Sequence, residues 1–219
     1  MLDLPFTPGT LYECEEIARE AGYHKIIGID EAGRGPLAGP VSVASLYIPP
    51  GKELPGINDS KQLTEKQRKS LYELITNDPE LEWSVIDIDA TVIDDINILQ
   101  ATYKGMRQVA KDIKDVDLIF VDGNAVPDLP YESINLVKGD GRAACIAAAS
   151  IIAKEHRDQL MIKYDQEYPE YGFASHKGYG TKKHLEALEE FGPCDIHRKS
   201  FAPVQKALNK GLQGDLGLF

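Results

Sequence analysis

Two short apolar runs that each end in a carboxylate constrain the fold of this chain more than any other feature. Residues 25–30 read Lys-Ile-Ile-Gly-Ile-Asp, and residues 117–122 read Asp-Leu-Ile-Phe-Val-Asp. Short apolar runs bounded by polar residues are typical of strands buried in the middle of a sheet. The end of each strand therefore brings an acidic side chain, Asp30 or Asp122, to the edge of that sheet.

The order of the predicted elements places the chain in the α/β class. Early strands followed by alternating helices and strands indicate a sheet of about five strands flanked by helices. We expect one domain over residues 1–219, with a core at about 22–170 and a C-terminal helical extension at about 171–219. Further strands are predicted at 41–48, 83–88 and 133–137, and helices at 10–21 (capped by Thr10), 64–76, 95–113, 143–168, 181–191 and from 203 onwards.

Composition narrows the class of protein. Three cysteines without paired spacing argue against a disulfide framework, and no apolar stretch has membrane-spanning length, so we expect a cytoplasmic protein. The net charge of −11 argues at first against nucleic acid. However, residues 1–100 carry 18 acidic and 8 basic side chains, whereas residues 172–210 carry 7 basic and 4 acidic ones. The later segment can therefore face a polyanion, and a metal site would explain part of the acidic excess.

Four acidic residues form the candidate catalytic set. Glu31 follows Asp30 directly, Asp122 ends the second apolar run, and Asp140 lies between two glycines before the predicted helix 143–168. One interpretation is solvated strand ends, with Asp140 as a helix N-cap. The other is convergence of all four, in which case mutual repulsion raises their pKa values and a hard cation such as Mg²⁺ or Mn²⁺ removes the repulsion. Paired metal ions promote attack of water on a phosphodiester, so the second interpretation predicts a metal-dependent nuclease.

Two glycine-rich loops are candidate binding segments. Gly33-Arg34-Gly35-Pro-Leu-Ala-Gly39 misses the dinucleotide-binding spacing by one residue and precedes a predicted strand instead of a helix. It therefore predicts either a tight turn or backbone amides exposed to phosphate or sugar, with Arg34 adding a charge. The second loop, from His176 to His184, is basic and contains Tyr179, which can stack on a base or a sugar unless the loop is merely solvated.

A zinc site is a further alternative in the C-terminal part. The potential ligands are His176, His184, Cys194 and His197. Their spacing contains no paired-cysteine knuckle and matches no standard zinc-finger pattern, which weighs against this interpretation.

Seven motifs between about residues 25 and 205 occur in the order in which one known family carries them. They are Ile27-Gly-Ile-Asp30-Glu31-Ala-Gly-Arg-Gly-Pro-Leu-Ala-Gly-Pro-Val41, Asn58-Asp-Ser-Lys61, Val121-Asp122-Gly123, Lys138-Gly-Asp140-Gly, Ala147-Ala-Ala-Ser-Ile-Ile-Ala-Lys154, His176-Lys-Gly-Tyr179-Gly-Thr181 and His197-Arg-Lys-Ser-Phe201. Together they resemble the motifs of the type 2 ribonucleases H, whose bacterial form is called ribonuclease HII. Arg34 within the first motif resembles this type and differs from the lysine usual in the sister type 3 enzymes.

This resemblance implies a ribonuclease H-like fold with a mixed central sheet and a C-terminal helical segment. It implies hydrolysis of the RNA strand of RNA–DNA hybrids and incision at ribonucleotides embedded in duplex DNA, leaving 5′-phosphate and 3′-hydroxyl ends. It also implies Mn²⁺ or Mg²⁺ as cofactor and a protein acting as a monomer. The implied metal ligands are Asp30, Glu31, Asp122 and Asp140, and the implied substrate-binding residues are Gly33, Arg34, Gly35, Ser60, Lys61 and Tyr179.

The last residues suggest a protein partner. Leu216-Gly-Leu218-Phe219 resembles the short peptides that bind sliding clamps, against the alternative of a frayed tail with chance hydrophobic residues. Two other functions remain open from the sequence. One is a nucleic-acid-binding module without catalysis, and the other is an actin-like nucleotide phosphotransferase, which normally needs two related domains that this chain is too short to hold.

Overall fold

The fold is built on one mixed sheet of five strands. In the computed structural model, which describes residues 2–58, 60 and 62–215 and the side chains of these as far as residue 210, the strands lie in the order β3-β2-β1-β4-β5. Strand β1 is antiparallel to β2 and parallel to β4, which is parallel to β5. The expected five-stranded mixed sheet is confirmed. The strands are β1 (Ile26–Ala32), β2 (Val41–Tyr47), β3 (Glu82–Ile88), β4 (Leu118–Asp122) and β5 (Glu132–Leu136).

Seven helices accompany these strands in the described part of the chain. They are α1 (Glu13–Glu20), α2 (Glu65–Asn77), α3 (Ala90–Asp112), α4 (Ala144–Glu167), α5 (Phe173–His176), α6 (Lys182–Phe191) and α7 (Ala202–Asp215), with one 3₁₀ turn at Gly139–Gly141. The sequence pattern predicted all except α5, which is a single turn. None of the described helices combines the length and the apolarity that a membrane-spanning helix requires.

The start of α4 packs closely on β1. Its first residues are almost all alanine or isoleucine, and those from Ala143 to Ala149 are fully buried. A Cβ atom on Gly28, in the middle of β1, would lie 2.2 Å from the backbone carbon of Cys145. Only glycine allows this approach, because any side chain at that position would overlap the helix backbone. The glycine and the small helix residues together place the catalytic candidates of β1 beside α4.

Two helices differ in detail from the sequence prediction. Helix α1 begins at Glu13, and Tyr12 at its N-cap makes no side-chain capping bond, so the predicted cap at Thr10 is wrong. Helix α3 contains a kink at Asn97, whose φ of 64° and ψ of 164° are non-helical. The Asn97 side chain accepts hydrogen bonds from the amides of Leu99 and Gln100 and so caps the helical segment that follows. The continuous apolar pattern did not reveal this break.

The chain packs into two compact units. The first contains Met1–Ala32, Ser42–Ile86 and Tyr103–Glu155, and the second contains Gly33–Val41, Asp87–Thr102 and His156–Phe219. The first unit has a core of β-strand and α4 side chains around Phe120 and Leu46. The second has small clusters around Phe173 and Leu188. The second unit also contains two segments from earlier in the chain. The expected division into a core and an extension near residue 170 therefore stays a prediction.

Candidate active site

The register of β1 and β4 aligns the first two acidic candidates. Parallel pairing ends with Ile29 opposite Val121, so Asp30 and Asp122 are the next residues on two neighbouring strands. The carboxyl edge of parallel strands is where α/β sheets commonly present ligand-binding side chains. Strand β1 runs beyond the sequence prediction and ends at Ala32, with Asp30 and Glu31 still paired to β2. The antiparallel pairing therefore holds both acids in extended backbone.

The environment of Asp30 disfavours the ionised form of its carboxyl group. Its side chain is only 5% exposed, and burial raises its pKa well above the ordinary value. The negative charges of Glu31 and Asp122 also raise this pKa. Hydrogen bonds from the Ser150 side chain and the Glu31 amide act in the opposite direction. The amide of Glu31 lies 2.7 Å from Oδ1 of Asp30.

A buried pair of serines supports Asp30. Ser150 on α4 and Ser60 are each 6% exposed, and their hydroxyl oxygens are 2.9 Å apart. Because the Ser150 hydroxyl donates its proton to Asp30, the Ser60 hydroxyl donates to Ser150. Ser60 was a predicted substrate-binding residue, but its hydroxyl is directed to this buried chain. Ser150 was not singled out from the sequence, since its role depends on a partner 120 positions earlier in the chain.

The glycine turn that carries Asp140 contacts Asp122 through the amide of Gly139. The Gly139 amide donates to Oδ1 of Asp122 over 2.6 Å, and Asp140 is 3% exposed in the 3₁₀ turn. A Cβ atom at Gly139 would lie 2.6 Å from the terminal carbon of the Ile146 side chain, which would have to shift to admit a larger residue. The N-cap interpretation of Asp140 is wrong, because α4 begins at Ala144 and its Cys145 amide instead donates to Glu15.

The donor set fits a hard divalent cation by type, although the side chains are not arranged around one. In the part of the chain that the structure describes, no three His, Cys, Asp or Glu side chains are grouped as ligands of a single ion. One oxygen of Asp122 is occupied by the Gly139 amide. Ion binding would therefore require these carboxylates to rotate away from the positions that the structure describes. The raised pKa of Asp30 is consistent with such a site, because a cation offsets the repulsion that raises it.

The glycine loop belongs to the second unit, and its two glycines have different environments. Gly33 has a φ of +94°, and a Cβ atom there would lie 2.0 Å from Nε of Arg157. A Cβ atom at Gly35 would meet only Tyr179 at 3.6 Å, an ordinary van der Waals distance. Gly33 is thus required by the fold of the loop, whereas Gly35 leaves open space. Because β2 follows the loop, the dinucleotide interpretation is excluded here as well.

Two buried arginines hold the carbonyl groups of this loop. Arg198 is fully buried and donates to the carbonyl oxygens of Gly33, Arg34, Gly39 and Pro40. Arg157 is 1% exposed and donates to those of Pro40, Ala38 and Lys177. Burial, together with the nearby charge of Arg157, lowers the pKa of Arg198 to about 9. No spacing rule predicted these roles, although Arg198 lies within a motif that carried the family resemblance.

With its carbonyls directed to the arginines, the loop leaves one exposed glycine amide, that of Gly35, with no acceptor among the described hydrogen bonds. The amides of Leu37 and Gly39 donate to the carbonyls of Gly178 and Ile196. Gly33, by contrast, is buried. Arg34, Gly35 and Tyr179 are exposed, and the Tyr179 side chain is 47% exposed. Lys61 and the predicted clamp-binding segment 216–219 lie outside the described residues.

The chain is similar to known ribonucleases in both sequence and fold. A sequence profile of the family described as Ribonuclease HII matches residues 27–204. The Ribonuclease HII of Chlamydia trachomatis serovar L2 is 52% identical over 199 residues, which cover 90% of this chain and 91% of the relative. The ribonuclease H2 of Pyrococcus horikoshii OT3 superimposes with a TM-score of 0.72 at 29% identity, over 85% of this chain and 98% of that one.

A third protein shares the fold alone. Bst-RNase HIII, solved in complex with Mn²⁺, superimposes with a TM-score of 0.64 at 19% identity, over 90% of this chain and 73% of that one. The ribonuclease H-like fold expected from the motifs is confirmed, and the matches support neither a non-catalytic module nor an actin-like phosphotransferase. The chain is a nuclease and belongs to the ribonuclease HII family.

Proposed function

We propose that this chain hydrolyses the RNA strand of RNA–DNA hybrids and cleaves at single ribonucleotides embedded in duplex DNA, leaving 5′-phosphate and 3′-hydroxyl ends. The observation that carries the proposal is the group of carboxylates at the edge of the sheet. Asp30 is buried, and the charges of Glu31 and Asp122 raise its pKa. Such an arrangement lowers the stability of the folded protein and is typical of a functional site, here one that binds cations.

Asp30, Glu31, Asp122 and Asp140 would hold two divalent cations, either Mg²⁺ or Mn²⁺. When bound, such a pair supplies an activated water and stabilises the charge on the leaving 3′ oxygen. Ser150 orients Asp30, and the Gly139 amide orients Asp122. The all-carboxylate donor set favours hard cations, and the Mn²⁺ complex of Bst-RNase HIII supports this cofactor class.

Recognition of ribose is the second part of the proposal. The 2′-hydroxyl distinguishes RNA from DNA and both donates and accepts hydrogen bonds. The amides of Gly33 and Gly35 would donate to it, Arg34 would contact phosphate, and the exposed ring of Tyr179 would contact the sugar. Ser60 and Lys61 would also contribute to substrate binding, Ser60 through atoms other than the hydroxyl that contacts Ser150. Tyr179→Phe and Tyr179→Ala should reduce cleavage at a single ribonucleotide, and equal activity of both variants with wild type would remove this role.

The test is cleavage of a labelled duplex containing one ribonucleotide. The matched control is the same duplex made entirely of deoxynucleotides, and a long RNA–DNA hybrid is the third substrate. We expect cleavage beside the ribonucleotide with Mg²⁺ or Mn²⁺, none with EDTA and none in the control duplex. Asp122→Asn should bind the duplex without cleaving it. Cleavage that persists in EDTA, or that ignores the ribonucleotide, would contradict the proposal.

The partner and the setting of the enzyme are further proposals. We infer a monomer in the cytoplasm, in keeping with three cysteines that form no disulfide bond. The segment from Leu216 to Phe219 would bind a sliding clamp by inserting apolar side chains into a pocket. A binding titration of the full chain and of a chain lacking the last five residues tests this partner. Equal affinity of the two chains would rule out the tail as the binding segment.

A further inference from the structure

Three buried histidine rings pack together beside Tyr179 in the second unit. His176, His184 and His197 are 9%, 0% and 1% exposed. The rings of His176 and His184 stack with centroids 4.6 Å apart, and the Nε2 atoms of His184 and His197 are 3.0 Å apart. The zinc alternative does not account for this cluster, since the described residues contain no group of three potential ligands around one position.

Backbone groups at the two ends of the His184–His197 pair determine where the protons lie. The Cys194 amide donates to Nδ1 of His197 over 3.0 Å, so the proton of His197 is on Nε2. Nδ1 of His184 lies 2.9 Å from the carbonyl oxygen of Tyr179, so this nitrogen carries the proton of His184 and donates it. Nε2 of His184 is then an acceptor for Nε2–H of His197. A directed chain of hydrogen bonds results, from the Cys194 amide through both rings to the Tyr179 carbonyl.

Both rings of this chain are neutral at neutral pH. Burial, together with the neighbouring His184, lowers the pKa of His197 to about 4. Burial also lowers the pKa of His184. Burial raises the pKa of the Cys194 thiol, which lies 3.1 Å from Nδ1 of His197, to about 11, so the sulfur carries no charge that would favour an imidazolium. A proton added to Nε2 of His184 would place two N–H donors opposite each other at the contact between His184 and His197.

The chain of bonds ends on the backbone of the residue proposed to contact the sugar. The Tyr179 amide donates to the carbonyl of His176 over 2.9 Å, and the Tyr179 carbonyl accepts from the Thr181 amide and from His184. The ring itself is 47% exposed and so receives little support from packing. The position of this ring therefore depends on how its backbone is held.

We propose that His184 and His197 are positioning residues for Tyr179, acting as a neutral imidazole chain that fixes the Tyr179 carbonyl and thereby the direction of its ring. This inference rests on the proposed role of Tyr179 at a ribonucleotide. His184 acts directly on the carbonyl, whereas His197 fixes the tautomer of His184. Neither histidine touches the substrate.

Two substitutions of His184 separate the two bonds of its ring. His184→Asn keeps a donor at the position of Nδ1 and loses the bond to His197, whereas His184→Gln keeps a polar group at the position of Nε2 and loses the bond to Tyr179. We expect His184→Gln to reduce kcat for the single-ribonucleotide duplex about tenfold, the loss expected for one buried hydrogen bond, and His184→Asn to stay within about threefold of wild type. Combining His184→Gln with Tyr179→Ala should cost no more than Tyr179→Ala alone. Equal losses in both His184 variants, or additive losses in the double variant, would indicate a structural role only.

The tautomers are measured in the wild-type protein without substrate. Nitrogen-15 NMR of the histidine rings at pH 7 should show pyrrole-type nitrogens at Nδ1 of His184 and Nε2 of His197, and pyridine-type nitrogens at the other two positions. A proton on Nε2 of His184, or a charged ring, would overturn the proposal. If the enzyme fails to cleave at ribonucleotides while these tautomers are found, the proposed function fails and the imidazole chain remains.

Discussion

Gly33 and Arg157 are in direct contact in this fold, because the guanidinium of Arg157 occupies the space where a Gly33 side chain would lie. A Cβ atom at Gly33 would be 2.0 Å from Nε and 2.4 Å from Cδ of Arg157. Arg157 is almost fully buried and cannot move aside without losing its bonds to the carbonyls of Ala38, Pro40 and Lys177. Gly33 is therefore required for the fold of the loop, whereas the fold does not require a glycine at position 35, which we expect to contact a ligand.

Alanine substitutions should separate these two roles. Gly33→Ala combines a steric overlap with a φ of +94°, and we expect it to destabilise the protein by about 2–3 kcal/mol. Gly35→Ala meets only an ordinary contact and should change stability by less than about 0.5 kcal/mol. Its new methyl group should nevertheless obstruct the substrate and reduce cleavage at a ribonucleotide more than about tenfold. Thermal unfolding and cleavage assays on both variants check this, and a stable, fully active Gly35→Ala would contradict it.

Ser150 should affect metal binding through Asp30. Its hydrogen bond favours the ionised form of Asp30, so Ser150→Ala should make a proton a stronger competitor for the metal. We expect the Mg²⁺ or Mn²⁺ concentration for half-maximal activity to rise several-fold. Ser45→Ala is the matched control, since Ser45 is fully buried on β2 and donates to the carbonyl of Val109 over 3.0 Å. Both variants should lose similar stability. A metal requirement that rises equally in both would exclude a specific role for Ser150.

The acidic strand ends could be predicted from sequence, whereas the residues that support them could not. Asp30 and Asp122 follow apolar runs, and strand pairing places such ends side by side. The supporting residues act over long sequence separations. Ser150 reaches Asp30, and Arg198 reaches carbonyls more than 150 positions earlier. The local pattern around each of them describes only a buried helix or a basic loop. The kink at Asn97 could not be predicted from the sequence either, because the spacing of the apolar residues continues unchanged across it.

Removing one carboxylate should stabilise the metal-free protein while abolishing catalysis. The charge of Asp122 raises the pKa of Asp30, so the two groups repel each other when both are ionised. Asp122→Asn removes this repulsion and keeps an oxygen to accept the hydrogen bond from Gly139. We expect a gain on the order of 1 kcal/mol in EDTA at pH 8, together with a loss of activity of at least about a hundredfold. Denaturant unfolding and cleavage assays on one preparation measure both effects. A less stable Asp122→Asn would mean that the repulsion is already relieved within the protein.

Glu15 should make the stability of the protein depend on pH. This carboxyl is 1% exposed and accepts a hydrogen bond from the Cys145 amide at the start of α4, and burial raises its pKa from 4.5 to about 7. A raised pKa favours the protonated form in the folded state, so the contribution to stability is complete below pH 4.5 and is lost as pH rises towards 7. Glu15→Gln keeps an acceptor and cannot ionise.

The Glu15→Gln variant should therefore match wild type below pH 4.5 and exceed its free energy of unfolding by about 3 kcal/mol at pH 8. Urea unfolding at several pH values measures the difference directly. The exposed Glu16, on the same helix, provides the control: Glu16→Gln should parallel wild type at every pH. If the Glu15→Gln and wild-type curves also stay parallel, the carboxyl of Glu15 is ionised at its ordinary pKa, and the amide of Cys145 is sufficient to hold its charge inside the protein.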